Sequence, residues 1–168
     1  MSLRHGTIAA GLALLFAGPA AAHVTLEVGQ APANSIYRAT FRVPHGCEGA
    51  TTTRLVVRLP EGVTEVRPMP KAGWTIRLTS RGEPASGHGA VPEAAEIAWE
   101  GGNLPDAYYD EFVIRLRLPD RPGEIFYIPV VQECEGGLAA AWVQVPEPGR
   151  RVTEYRFIAP AVRLLPRN

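Results

Sequence analysis

From residue 23 onward, apolar positions recur with a period of two inside short runs. Leu55, Val57 and Leu59 fall on one side of a run, and Arg54 and Arg58 on the other. Phe112, Ile114, Leu116 and Leu118 alternate with Val113, Arg115 and Arg117. Successive strand side chains point to opposite faces, so this alternation predicts strands with one apolar and one wetter face. The same reading predicts strands at 24–28, 36–43, 52–59, 63–67, 74–78, 96–100, 111–118, 125–132, 139–145 and 155–159. Pro44, Pro60, Pro68, Pro119 and Pro146 stand at the ends of these runs. Proline cannot donate to a ladder, so they mark turns. Many short strands with no amphipathic helix between them predict an all-β chain, two sheets packed face to face as a β-sandwich. The stretch 81–94 (RGEPASGHGAVPEA) reads as a loop, and 163–168 as a loosely held tail. No repeat or linker divides the chain, so one domain is expected over 23–160, with a tail over 161–168.

The first 22 residues follow a different rule. Arg4, the apolar run Ile8–Phe16, the breaker Gly18-Pro19 and the small residues Ala20-Ala21-Ala22 make the three parts of a secretory leader. Small residues are needed at −3 and −1, so Ala20 and Ala22 place the cut before His23; a cut after Ala20 is the alternative. As an uncleaved anchor the run falls short of the ~20 residues that a membrane span needs. An exported, periplasmic protein is the expectation.

Removing the leader leaves 146 residues, enough for one domain with a sizeable core. It also removes Arg4, leaving 16 basic against 17 acidic residues, a balance that argues against nucleic acid or an anionic membrane as partner. Two cysteines, Cys47 and Cys134, stand 87 residues apart. In an exported chain two cysteines are read first as a disulfide. The competing reading is a thiolate copper site using His45 and Cys47 of the His45-Gly46-Cys47 stretch.

The candidate chemistry sits at the predicted new terminus. Cleavage before His23 frees an α-amine beside an imidazole. The amine and Nδ1 of one histidine close a six-membered ring on a metal ion, and first-row affinity for nitrogen donors peaks at copper. The amine must lose its proton to bind, so affinity should weaken in acid. A histidine at position three would wrap copper through backbone amides, but Thr25 stands there. His45 reads as a turn residue and His88 as a solvated loop residue. No CxxC pair or phosphate-cradling glycine loop is present, and no catalytic triad can be argued, so an enzyme is not expected.

From His23 to about Val145 the chain resembles the YcnI-like copper-binding domains of bacteria. The resemblance rests on His23-Val24-Thr25-Leu26, Ile36–Pro44 (IYRATFRVP), Leu59-Pro60-Glu61-Gly62-Val63 and Gly73-Trp74-Thr75. It continues through Ile97-Ala98-Trp99-Glu100-Gly101, Asp110-Glu111-Phe112 and Gln132–Trp142 (QECEGGLAAAW). It implies an immunoglobulin-like sandwich that binds Cu(II) through the amine and imidazole of His23. It also implies a carboxylate ligand, best placed at Glu111 with Asp110 as alternative, and a tryptophan against the metal, best placed at Trp142. Trp74 and Trp99 are expected to pack in the core. The implied role is copper handling or delivery, with other envelope copper-handling proteins as partners. The alternatives are a metal-free interaction module and a histidine-brace oxidase. Many relatives carry a membrane helix after the domain, and this sequence shows none.

Overall fold

The structure, a computed structural model, describes residues 23–80, 82 and 94–167. The leader, its cleavage site up to Ala22, most of the 81–94 stretch with His88, and Asn168 lie outside the described residues.

Among the described residues twelve strands form in chain order: β1 Thr25–Leu26, β2 Gln30–Pro32, β3 Ile36–Val43, β4 Thr52–Arg58, β5 Thr64–Pro68, β6 Thr75–Ser80, β7 Ala94–Leu104, β8 Asp110–Arg117, β9 Ile125–Tyr127, β10 Val130–Cys134, β11 Ala139–Trp142 and β12 Ala161–Leu165. One sheet has the order β1-β3-β8-β5, and the opposing sheet β11-β10-β4-β7-β6. A small third sheet, β2-β12-β9, completes the fold, with β2 and β12 parallel. The chain is an immunoglobulin-like β-sandwich. Alternating side chains build its core: Tyr37, Ala39, Phe41 and Val43 of β3 and Phe112, Ile114 and Leu116 of β8 meet Leu55, Val57, Ile97 and Trp99 of the other sheet. Phe112 holds the layers together. Its ring lies edge-on to Trp74 at 4.9 Å and to Trp99 at 5.4 Å, a geometry aromatic quadrupoles favour. The Trp99 indole N–H donates to the Met69 carbonyl at 3.1 Å, so its polar atom is satisfied inside the sandwich.

Apart from shifts at strand ends and the unpredicted β2, the structure departs from the predicted runs at four places. The run 125–132 is not one strand: Pro129 cannot donate, and the chain passes there from β9 in the third sheet to β10 in the second. The run 155–159 is not a strand either. Val152–Glu154 is a 3-10 turn, and only Ile158 makes a bridge, to Gln144. The run at 24–28 shortens to β1, though Val24 is buried against the core. The expected loose tail is ordered instead: residues 161–165 form β12, and Val162 and Leu164 are fully buried. Its apolar alternation over Ala161–Leu165 was too short to stand out, and its parallel partner β2 is only three residues long.

Tyr37 locks the β1–β2 connection to β3. Its ring is buried and its hydroxyl donates to the Val28 carbonyl. Burial, assisted by the nearby Glu27 carboxylate, pushes the phenol up to about 12. The folded state thus holds this proton more tightly than the unfolded chain, whose tyrosines titrate near 10. The associated stability is complete below about pH 10 and is lost as the pH rises towards 12. Tyr37→Phe should cost about 1 kcal/mol at neutral pH through the lost hydrogen bond. In denaturant titrations at several pH values, it should also show a smaller alkaline fall than the parent.

Candidate metal centre

His23 stands two residues before β1, an edge strand of one sheet, and Trp142 ends β11, an edge strand of the other. Between these edges lies a cleft of about 700 Å³. His23, His45, Asp106, Trp142, Arg156 and Phe157 are among its lining residues. Trp142 belongs to the buried core as well as to the cleft wall, so the packing and site readings of this residue both hold in geometry.

The His23 ring has an informative contact: Nε2 lies 3.2 Å from the Arg156 carbonyl oxygen. A carbonyl can only accept, so Nε2 carries the proton in this bond and the neutral ring's lone pair falls on Nδ1. Nδ1 is the nitrogen that closes a six-membered ring with the α-amine. The segment that carries Arg156 thereby sets the tautomer suited to chelation, as partners of metal-binding histidines commonly do.

The turn His45–Ala50, which follows β3 beside β1, also lines the cleft. Cys47 and Ala50 exchange backbone hydrogen bonds at 3.1 and 2.9 Å around Glu48 and Gly49, both at positive φ. Gly46 is required by close approach: a Cβ there would meet the Ala50 carbonyl oxygen at 1.8 Å. Three tethers hold this turn. The Cys47–Cys134 disulfide ties it to β10, and Gln132 Nε2 donates to the His45 carbonyl at 2.8 Å. Asp106 Oδ1 accepts the Gly46 N–H at 3.0 Å. Among the described residues no cysteine is free, so the thiolate copper reading of Cys47 gives way to the disulfide.

Glu111 does not line this cleft. Strand register sets Thr25, Arg42 and Glu111 side by side across β1, β3 and β8, with Arg42 in the middle. Arg42 bonds Glu27 at 2.9 Å and lies 3.5 Å from Glu111. The Tyr109 hydroxyl donates to Glu111, and that bond holds the Tyr109 phenol above its ordinary range. Asp110, the alternative, accepts from Lys71 at 2.5 Å and from the Glu111 N–H at 2.8 Å. The structure therefore brings His23 and Trp142 together and keeps Glu111 and Asp110 in separate ion pairs. The carboxylates in the cleft are Asp106 and Glu48. Neither was a sequence candidate, because loop residues from distant positions carry no periodic signal. Among the described residues no three His, Cys, Asp or Glu side chains are gathered at metal-binding distance.

A sandwich with a histidine at the mouth of its edge cleft is the class defined so far. The chain belongs to the family described as a domain of unknown function, DUF1775, whose model matches residues 23–164; this is the YcnI-like copper-binding family. It is 24% identical over 116 residues to the copper-binding protein CutI of Bacillus subtilis, a match covering 68% of this chain. That match spans about half of CutI, 52% of its length. The chain is also similar, at 30% identity and a TM-score of 0.67, to an uncharacterized protein from Nocardia farcinica whose crystal structure has an immunoglobulin-like fold. That likeness covers 85% of this chain and 98% of the other. The matched family region begins at His23 and runs through β12 to Leu164.

Proposed function

We propose that this protein, exported and cleaved before His23, binds one Cu(II) as cargo in the cell envelope and passes it on without catalysis. The reading is supported by the family, by the copper-binding relative, and above all by the His23 Nε2 contact to the Arg156 carbonyl. With that bond made, Nδ1 and the α-amine become a bidentate nitrogen pair on one residue. Trp142, in the same cleft, would shield the ion from solvent on one side.

A carboxylate completes the set. The family resemblance assigns it to Glu111, which would have to exchange Arg42 and Tyr109 for the metal. Glu111→Gln tests this: a fall in Cu(II) affinity of about tenfold or more, roughly 1.4 kcal/mol, supports the assignment. Unchanged affinity moves the role to a carboxylate of the cleft.

The decisive measurement is a copper titration of the chain that begins at His23, followed by electron paramagnetic resonance. One Cu(II) per chain with nitrogen couplings from amine and imidazole is expected. His23→Ala should weaken binding by at least about a hundredfold, roughly 2.7 kcal/mol. No stoichiometric copper at all would leave the metal-free interaction module. Peroxide formation with copper and a reductant would instead favour the oxidase.

A further inference from the structure

The cleft that His23 lines carries a second imidazole, His45, whose chemistry has no part in the ligand set above. His45 Nδ1 lies 2.6 Å from the Gly46 carbonyl oxygen and 3.7 Å from Asp106 Oδ1. The carbonyl can only accept, so Nδ1 bears the proton and Nε2 the lone pair. A histidine with one ring N–H held by a carbonyl and a carboxylate close by has the outer arrangement typical of metal-bound imidazoles. The ring remains accessible, with the His45 and Asp106 side chains 41% and 40% exposed. Its backbone is fixed by the disulfide, by Gln132 and by the Gly46–Asp106 bond, so the ring is carried on a rigid mount.

We propose that His45 is a second copper ligand of this protein, coordinating through Nε2 and oriented by the Gly46 carbonyl, with Asp106 as a positioning residue. One imidazole beside one carboxylate is too few donors for tight binding, which suits a station the ion occupies in passing. His45 receives copper at the cleft mouth and hands it to, or takes it from, the His23 chelate. The entry and exit role rests on the His23 reading; the ligand role does not.

Two arms of one experiment separate the two. In the His23→Ala chain, Cu(II) is titrated while the histidine ring resonances are followed by NMR. The His45 ring should broaden at lower copper than the ring of His88, the other mature histidine and the internal comparison. Asp106→Asn keeps an acceptor for the Gly46 N–H but removes the charge. It should raise the copper needed to broaden His45 by about tenfold while leaving the copper spectrum of the His23 site unchanged. Broadening of His45 no earlier than His88 overturns the proposal. In the second arm, the chain starting at His23 is loaded with one Cu(II), and its transfer to a chelator is timed. His45→Ala should slow transfer several-fold without altering the spectrum of the loaded site; an unchanged rate removes the entry and exit role. If the parent binds copper no more tightly than His23→Ala, the His23 reading fails, and the first arm still decides the role of His45.

Discussion

An acetyl group on the His23 α-amine should weaken Cu(II) binding by about a thousandfold, roughly 4 kcal/mol, with no change in the fold. Acetylation turns the α-amine into an amide and, unlike an added residue, brings no new free amine that could anchor copper and recruit that amide as a ligand. What remains is one imidazole, and the second donor must come from elsewhere. Two donors on one residue act together because the first bond holds the second donor at high effective concentration, and that advantage is lost outright. The imidazole itself is untouched, as is its bond to the Arg156 carbonyl. The test is therefore sharper than His23→Ala, which removes the ring and its hydrogen bond together. The control is a melting curve of the metal-free protein, expected to be unchanged. Equal affinity with and without the acetyl group would sink the chelate. The copper affinity of the chain starting at His23 should also fall as the pH drops below about 7.7, the range in which an α-amine takes up its proton. The acetylated chain should lack that component.

This dependence on one backbone nitrogen explains what the sequence could and could not reveal. Period-two alternation in Leu55–Leu59 and Phe112–Leu118 identified one core face in each sheet, because a strand buried mainly on one side carries that trace. The paired layers of the sandwich follow from it. Alternation gave no warning of β2 and β12, whose few residues pair in parallel from opposite ends of the domain. Nor could it show that Pro129 marks a change of sheet rather than a kink within one strand. His23 was legible because its chemistry is local: an amine, a ring and a cleavage site in consecutive residues. The cleft was not, since it is assembled from His23, the His45 turn, Asp106, β11 and the Arg156–Phe157 segment, distant in sequence and joined only by topology. The sequence marks His45 as a turn residue, and it is one; what the sequence lacks is the cleft that gives the turn a chemical role.

The same turn carries the largest expected effect on stability. Replacing both Cys47 and Cys134 by alanine should lower the unfolding free energy by about 4–5 kcal/mol, since the bond closes a long loop of the unfolded chain. The link spans 87 residues, from the His45 turn to the end of β10. For a domain of this size the melting temperature should fall by roughly 10–20 °C. Both cysteines are buried, so reduction should follow unfolding rather than precede it, and dithiothreitol should act slowly on the native protein. The consequence for copper is graded by distance from the turn. The His23 contact to the Arg156 carbonyl does not pass through the disulfide, so Cu(II) affinity should survive below the melting transition. His45 depends on it more directly, because Cys47 is two residues away and the remaining tethers are the Gln132 and Asp106 hydrogen bonds. The double variant should therefore keep the loaded copper spectrum, melt earlier, and show a broader spread of His45 ring environments by NMR. A melting curve that superimposes on the parent's would mean that the turn is held by those two hydrogen bonds alone.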